Sequence, residues 1–496
     1  MSQDKVSLLR DPTAGVSVSP DSRSYDSVDP PSYSAEHGAQ ISFVPRRFPQ
    51  YVAALTATLS ALAAGAVLGW TSPILNEIQH GKFHNITVNS NQMGWIGSFV
   101  TLGGMTMCIP TGFLCDLIGR KKTLLLLIVP FAIGWSLILF AKSIVMIYLG
   151  RLITGMAAGA SCVAAPLYTS EIAQKEIRGT LGSYFQLMVT IGIIFAYLAG
   201  KFLTSMGYTI FCASLPVVFI VLFAFQPETP AFCLRSGLYD DALRALVRLR
   251  GPCESNEAEL AEIEGTLKES LESSVSISQT FQKKANIKAF VIAFSLMFFQ
   301  QFSGINAIIL YSSDIFASAG SNLDANTAAI IVGAFQAVAT FVSSLMIDKL
   351  GRKILLLTSS IVMAFSTLVL AIYFTLKYRT AIDGAVLHEI GFIPIVSLCL
   401  FVVVFSIGLG PIPWMISSEI FTPEIKSIAS SGAGTFNWFL AFLVTKFYLQ
   451  VNECVGQDST FYAFSILSLL GGVFVYFVVP ETKGKTVEQV QAELER

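Results

Sequence analysis

Long apolar stretches separated by short polar connections dominate the pattern of residues along this chain. Each is about 20 residues long, the length that an α-helix needs to cross the hydrocarbon core of a bilayer. Backbone groups find no hydrogen-bond partner in lipid, so such segments must be helical. The pattern predicts an all-α integral membrane protein with twelve transmembrane helices, near residues 50–72, 93–115, 123–141, 145–168, 181–200, 207–226, 289–310, 325–347, 354–376, 392–416, 429–450 and 459–479.

The polar segments divide the chain further. Residues 1–48 are rich in Ser, Pro and Asp, a composition typical of a disordered tail. In 236–251 the apolar residues recur at helical spacing, which predicts an amphipathic helix under the membrane. The expected domains are a tail at 1–48, a six-helix bundle at 49–226, a linker with amphipathic helices at 227–288, a second six-helix bundle at 289–480 and a tail at 481–496.

Basic residues gather on one side of the predicted spans. Arg120-Lys121-Lys122 and Arg352-Lys353 fall on this side, together with most Lys and Arg of the linker. Because basic loops stay in the cytoplasm, both termini are expected to be cytoplasmic. Asn85-Ile86-Thr87 then falls in the first outward loop, where it predicts N-glycosylation at Asn85.

The composition argues against several classes of function. The chain is 53% hydrophobic and 13% charged, with a mean hydropathy of +0.64. A net charge of −1 gives no reason to expect a nucleic-acid partner. The eight cysteines form no Cys-x-x-Cys pair, and the sequence contains no nucleophile constellation or phosphate loop. We therefore predict neither a catalytic residue, nor a metal site, nor a cofactor.

The two halves of the chain carry the same short motifs in the same order. Asp116-Leu-Ile-Gly-Arg120-Lys returns as Asp348-Lys-Leu-Gly-Arg352-Lys, and the Pro-Glu-Thr of 227–229 returns at 480–482. The stretch Pro166-Leu-Tyr-Thr-Ser-Glu171-Ile is echoed around Glu419. A duplicated six-helix unit explains this repetition, and transporters are often built in this way.

These motifs resemble those of the sugar porter family of the major facilitator superfamily, which holds the animal facilitative glucose transporters and the insect trehalose transporters. The resemblance spans about residues 50 to 490 and includes Q-Q-x-S-G-x-N from Gln300, G-P-I-P-W from Gly410 and P-E-T-K-G from Pro480. It implies the major facilitator fold, with short cytoplasmic helices, and alternating access to a sugar held between the halves.

Amide side chains inside apolar spans are the candidate sugar ligands. Amides donate and accept hydrogen bonds without net charge, as sugar hydroxyls do. The resemblance implies that sugar is bound by Gln186, Gln300, Gln301, Asn306, Gln336 and Asn437, and that Trp414 and Trp438 stack on its apolar face. The alternative is structural, with amides bonding between helices and tryptophans packing in the core.

Two further groups have predicted mechanical roles. Gly408, Gly410, Pro411 and Pro413 interrupt one span and predict a hinge for gating, because proline removes backbone hydrogen bonds. The resemblance also implies a cytoplasmic charge latch between the halves, formed by Arg120, Glu171, Arg178, Arg352, Glu419 and Lys426. Positive-inside topology alone is the alternative explanation of these basic residues.

Departures from the family narrow the functional prediction. Thr71 stands where proton-coupled members carry Asp, and Ser406 stands where glucose-selective members often carry Glu. We therefore expect a facilitative uniporter for a hexose such as glucose, or for the disaccharide trehalose. A proton–sugar symporter and a non-transporting sugar sensor are the alternatives.

The N-terminal tail contains two candidate sorting motifs. Asp4-Lys-Val-Ser-Leu8-Leu9 fits an acidic dileucine signal read by adaptor proteins, and Pro30-Pro31-Ser-Tyr33 fits a ligand of WW domains. These motifs predict residence in the cell membrane, in endosomal–lysosomal membranes, or in both.

Overall fold

The computed structural model describes residues 46–79, 81–174, 176–253, 255–272, 283–320, 324–380, 389–485 and 487–495. Almost all of the predicted tail at 1–48 lies outside the described residues, as do Leu8, Leu9 and the Pro30–Tyr33 motif. The described residues form helices joined by short turns and contain no strand.

Within the described residues, twelve segments are long and apolar enough to cross a membrane, which confirms the predicted fold class. We number them spans 1 to 12: Phe48–Leu75, Ser90–Ile118, Arg120–Leu139, Ile144–Ile172, Arg178–Phe202, Ser205–Phe223, Lys284–Leu310, Ala325–Ile347, Arg352–Arg379, Ile393–Ser417, Ile428–Val455 and Gln457–Val478.

Four spans are built from two helices each. Span 1 comprises Phe48–Gly69 and Thr71–Gln79, span 3 Arg120–Leu126 and Ile128–Leu139, span 7 Lys284–Phe302 and Ile305–Leu310, and span 10 Ile393–Ile407 and Ile412–Glu419. The helices of spans 8 and 11 extend over Ala325–Leu350 and Pro423–Val455. Shorter helices outside the spans are Pro230–Arg235, Tyr239–Arg250, Ser255–Glu272, Ser312–Ala319 and Val487–Glu495.

The spans pair in a pattern that repeats between the two halves. Spans 2 and 4, 1 and 5, 3 and 6, and 3 and 4 pack together, and their counterparts 8 and 10, 7 and 11, 9 and 12, and 9 and 10 do the same. Contacts between the halves come mainly from spans 2 and 11 and from spans 5 and 8, which are themselves counterparts. The duplication predicted from the motifs is therefore present in the packing.

Glycines let paired spans approach to backbone contact. A Cβ on Gly103 of span 2 would lie 2.1 Å from the carbonyl oxygen of Leu152, and one on Gly192 of span 5 would lie 2.1 Å from that of Leu62. Small residues are favoured at membrane helix interfaces because lipid supplies no hydrophobic force to hold helices together. Large apolar side chains instead face outward, such as Phe113 (73% exposed) and Phe477 (76% exposed).

The helix Tyr239–Arg250 lies within the predicted amphipathic segment of the linker and is anchored by its last residue. Arg250 is 2% exposed, pairs with Glu259 through two nitrogens at 2.9 and 3.2 Å, and donates to the carbonyl of Ile172 at 2.8 Å. The backbone N–H of Arg46 donates to the carbonyl of Arg250 at 2.7 Å. These hydrogen bonds attach the linker to the start of span 1 and to the end of span 4.

Candidate functional site

A continuous chain of amide hydrogen bonds joins spans 7 and 11. Asn306 donates to Gln301 Oε1 at 2.6 Å, and Gln301 Nε2 donates to Asn437 Oδ1 at 2.8 Å. Asn437 Nδ2 in turn donates to Gln300 Oε1 at 2.6 Å and lies 3.3 Å from Met297 Sδ. Gln300, Gln301 and Asn437 are buried and Asn306 is half-buried. Four of the predicted sugar ligands therefore form one cluster.

The amide chain ends on the break in span 10. Gln300 Nε2 donates to the carbonyls of Leu409 and Gly410, both at 2.8 Å. These carbonyls are available because the helix Ile393–Ile407 has ended and the next begins at Ile412, next to Pro411 and Pro413. A Cβ on Gly408 would lie 2.4 Å from the carbonyl oxygen of Leu355 in span 9. The predicted hinge residues thus form a helix break, and the amide chain bonds directly to two carbonyls of that break.

Gly304 permits the matching break in span 7. Its φ of +92° lies in the left-handed region, which L-residues other than glycine rarely adopt. A Cβ there would lie 2.5 Å from Cδ2 of Phe464 in span 12. This break lets Gln300 and Gln301, before it, and Asn306, after it, bond to a common network.

The remaining predicted ligands lie on other spans. Gln336 is buried in span 8, and Gln186 is half-buried in span 5. Trp414 is 40% exposed and rests near Gly434, whereas Trp438 packs against Gly104 of span 2. No hydrogen bond of the described residues joins these four side chains to the amide chain, so their sugar contact stays a prediction.

We call the end of the bundle that holds Arg120 and Arg352 the basic end, and the end that holds Asn91 and Ser313 the opposite end. The halves are bonded together at the opposite end. Ser72 and Ser313 hydroxyls are 3.0 Å apart, and Asn91 Oδ1 accepts from Lys446 at 2.7 Å and from Gln450 at 2.9 Å.

At the basic end, each half contains the same charge network. Arg120 Nη2 pairs with Glu171 at 2.8 Å, and Arg352 Nη2 pairs with Glu419 at 3.1 Å. The threonine of each Pro-Glu-Thr motif, Thr229 or Thr482, donates to the same glutamate at 2.5 Å. In this conformation these latch residues are therefore paired within their own halves.

The glutamates of the Pro-Glu-Thr motifs stabilise the starts of spans 3 and 9. Glu228 accepts from the N–H of Lys121 at 2.9 Å, and Glu481 accepts from those of Arg352 and Lys353 at 2.9 and 3.0 Å. Burial alone would raise the pKa of Glu481, but these N–H groups and those of the adjacent chain hold it below its usual value.

The latch residues Arg178 and Lys426 repel each other across the halves. Partial burial lowers the pKa of Lys426, Arg178 lowers it further, and Glu419 opposes the shift. The basic end thus holds two like charges that act on each other, one from each half. Whether the latch forms in another conformation stays a prediction.

Arg151 of span 4 is a buried cation to which the sequence analysis gave no role. It is fully buried, donates to the carbonyls of Ile96 at 3.2 Å and Val67 at 2.8 Å, and lies 2.5 Å from Thr71 Oγ1. Its guanidinium also sits 5.1 Å from the ring centre of Trp70. The sequence signal that could have identified Arg151 is its charge within an apolar span. Charged residues in such spans usually face the interior of the bundle or a water-filled cavity and have a functional role.

A second residue without a predicted role is Asp314, in the helix Ser312–Ala319 at the opposite end. Asp314 lies near Tyr311 and Tyr448, and burial raises the pKa of its carboxyl to about 6.

Asn85, the predicted glycosylation residue, is exposed in the turn that precedes span 2.

Comparison with known proteins assigns the family. The profile described as "Sugar (and other) transporter" matches residues 52–494. The facilitated trehalose transporter Tret1 of Polypedilum vanderplanki is 37% identical over 451 residues, covering 90% of this chain and 88% of that protein. Tret1 of Culex quinquefasciatus is 36% identical over 451 residues, covering 90% and 86%.

Among solved structures, the proton:xylose symporter XylE from E. coli, bound to 6-bromo-6-deoxy-D-glucose, aligns with a TM-score of 0.73 and 23% identity, covering 90% of this chain and 99% of that one. This likeness shows the major facilitator fold alone. With the twelve spans and the family match, the chain is an integral multi-pass membrane protein that belongs to the sugar (and other) transporter family.

Proposed function

We propose that this protein is a facilitative carrier that moves a hexose such as glucose, or trehalose, across a membrane by alternating access, without covalent chemistry. The observation that carries the proposal is the amide chain from Asn306 to the carbonyls of the span 10 break. The amide chain joins neutral hydrogen-bond donors and acceptors to the break in span 10, where the helix geometry would change during transport.

The chemistry of the amide chain suits a sugar that must bind and then leave. The amides bond to one another here, so a sugar hydroxyl would replace existing hydrogen bonds instead of adding new ones. Exchange of this kind changes the free energy by only about 0.5–1.5 kcal/mol per bond. A site with a small net gain per hydroxyl can release its substrate on the other side.

The surroundings of Arg151 support facilitated transport over proton coupling. At the position where proton-coupled relatives carry an acid, Thr71 supplies a hydroxyl to the Arg151 guanidinium. A hydroxyl does not titrate in the physiological range, so it cannot carry a proton through the transport cycle. The names of the Tret1 relatives, facilitated trehalose transporters, point the same way.

Asp314 is the observation that favours the second candidate function, proton–sugar symport. A buried carboxyl with a pKa of about 6 would change protonation between an acidic and a neutral compartment. It lies in the helix Ser312–Ala319, next to Ser313, which bonds the halves together at the opposite end, so symport would couple its protonation to the opening of that end.

Removing the Asp314 charge tests this view of the residue. Its pKa is raised above the unfolded value, so its contribution to stability falls as pH rises through about 6. Asp314→Asn should therefore raise the melting temperature at pH 7.5 and raise it less at pH 5, as measured by thermal unfolding in detergent. The exposed Asp240→Asn is the control. An equal effect of Asp314→Asn at both pH values would contradict the prediction.

Uptake assays would identify the substrate. Cells expressing the chain with Leu8→Ala and Leu9→Ala, to raise surface levels, would receive labelled glucose or labelled trehalose. We expect saturable uptake of one of them, lost in Gln300→Ala. Absence of uptake of both sugars, with the protein shown at the surface, would contradict the proposed substrate class.

The same proposal includes orientation and location. We place the basic end and both termini in the cytoplasm, in the cell membrane or in endosomal–lysosomal membranes, with adaptors binding at Leu8-Leu9 and WW-domain proteins at Pro30–Tyr33. The basic residues and the tail motifs support this.

Glycosylation at Asn85 tests the orientation. If the opposite end faces outward, Asn85→Gln should abolish the mobility shift that N-glycosidase produces in the wild-type protein. Gln79→Asn, which creates no sequon, is a matched control. Absence of a glycosidase shift in the wild-type protein, expressed in cells that perform N-glycosylation, would contradict the outward placement of Asn85.

A further inference from the structure

A cleft opens at the basic end where three elements meet. It measures about 210 Å³ and is lined by the start of span 1, the end of span 6 and the linker helix Tyr239–Arg250. The lining residues are Phe48, Pro49, Val52, Gln226, Pro227, Arg248 and Leu249. One side is apolar, and the other carries a guanidinium.

The apolar side continues along the outer surface of the membrane region. Phe48 and Leu55 of span 1 are 77% and 42% exposed, and Val52 between them is half-buried. Positions 48, 52 and 55 lie on one helical face. Phe225, next to span 6, is 69% exposed, and its carbonyl accepts a hydrogen bond from Arg248 of the cleft. An apolar chain that leaves the cleft would therefore stay in contact with apolar side chains.

The polar side concentrates positive charge. Arg46, Arg47 and Arg248 are exposed, and Lys121 lies within electrostatic range of Arg248. The nearby carboxylate of Glu228 is already bonded to the N–H groups of Lys121 and Thr229. Arg248 donates one N–H to the carbonyl of Phe225 and retains further donors, since a guanidinium has five.

A larger groove on span 3 provides a contrast. It measures about 460 Å³ and is lined by Ala132, Ile133, Ser136, Leu137, Phe140 and Met146, with no charged residue among them. That groove suits hydrocarbon alone, whereas the cleft at the basic end combines hydrocarbon contact with cations.

We infer that the cleft at the basic end binds an anionic phospholipid, with its phosphate on Arg248 and Arg47 and an acyl chain along Phe48, Val52 and Leu55. Guanidinium groups form strong charge-assisted hydrogen bonds to phosphate. Basic residues at a membrane surface attract anionic lipid by about 1 kcal/mol each. Because Arg46 is bonded to Arg250, the bound lipid would stabilise the junction between span 1 and the linker.

The test titrates the purified full chain in detergent with phosphatidylglycerol, phosphatidylcholine or inorganic phosphate and follows the melting temperature. Phosphatidylglycerol should raise it saturably, while the other two leave it unchanged at the same concentrations. Equal stabilisation by both lipids would overturn the inference, because the cations would then have no part. Stabilisation by phosphate alone would also overturn it, by indicating a site for a free anion.

Variants assign the effect to the cleft. Arg248→Gln and Arg47→Gln should each weaken the apparent phosphatidylglycerol affinity about fivefold, which corresponds to about 1 kcal/mol. Lys268→Gln makes the same charge change elsewhere on the linker and should have no effect. Val52→Trp fills the cleft without changing charge and should also weaken binding. Equal losses in Lys268→Gln and Arg248→Gln, or full affinity in Val52→Trp, would contradict the assignment. If Arg248→Gln fails to fold, the phosphatidylglycerol affinities of Arg47→Gln and Val52→Trp decide whether the lipid binds in the cleft.

Discussion

Asn437→Ala should lower sugar uptake about 100-fold. Asn437 bonds to both Gln300 and Gln301, so its removal leaves the buried Gln300 Oε1 and Gln301 Nε2 atoms without the partner that each has in the amide chain. Each such loss costs about 1–3 kcal/mol, and about 3 kcal/mol corresponds to a factor of about 100. The measurement is the initial rate of uptake, divided by the amount of protein at the surface.

Thr435→Ala is the matched control for this variant. Thr435 lies on the same helix and its hydroxyl donates to the carbonyl of Ser431, one turn away, at 2.9 Å. Its loss should change uptake less than twofold, because the Thr435 hydroxyl bonds only within its own helix and makes no hydrogen bond to the amide chain. Equal uptake by Asn437→Ala and Thr435→Ala would show that the amide chain has no role in transport.

Gly304→Ala should reduce uptake at least tenfold and destabilise the protein by about 2–5 kcal/mol. A left-handed conformation costs an L-residue about 1–2 kcal/mol. The new methyl group would also overlap the Phe464 ring, and overpacking of this kind costs about 1–3 kcal/mol. Uptake rates and thermal unfolding in detergent measure the two effects.

Two further variants separate strain from overlap at Gly304. Gly432→Ala places its Cβ 3.7 Å from Phe294, an ordinary contact, and should be neutral. Gly304→Ala combined with Phe464→Leu should recover part of the stability, because the overlap is relieved while the left-handed strain remains. Wild-type uptake by Gly304→Ala would show that the break in span 7 is unimportant for transport.

The sequence predicted the fold well because membrane burial imposes a simple rule on the chain. A span must be apolar over about 20 residues, and this length could be counted directly. The break at Gly408–Pro413 was also predictable, since glycine and proline act through their own backbone. At Gly304 the structure adds the left-handed φ of +92° and the close approach of Phe464, which together explain why glycine is required there.

The partners of polar side chains were less predictable. Gln300 and Asn437 were named as ligands from their residue types, but their mutual bond joins positions 137 residues apart. The bond from Gln300 to two span 10 carbonyls involves backbone groups, which carry no sequence signal. The latch charges were named in the same way, but the structure pairs Arg120 with Glu171 and Arg352 with Glu419, each pair within its own half.

Arg151 shows a different limit of sequence reasoning. Its charge within an apolar span was visible, but the groups that satisfy it are two carbonyls and one hydroxyl from spans 1 and 2. Asp314 was likewise visible as a residue, whereas the raised pKa of its carboxyl arises from burial in the assembled bundle.

The central claim of facilitated transport is tested most directly by the accumulation ratio in proteoliposomes. Purified protein would be reconstituted, and the labelled sugar that is transported would be followed to steady state with and without an imposed proton gradient, acidic outside. A uniporter brings the internal concentration to the external value in both conditions. Accumulation above the external concentration only in the presence of the gradient would contradict the account and establish proton-coupled symport.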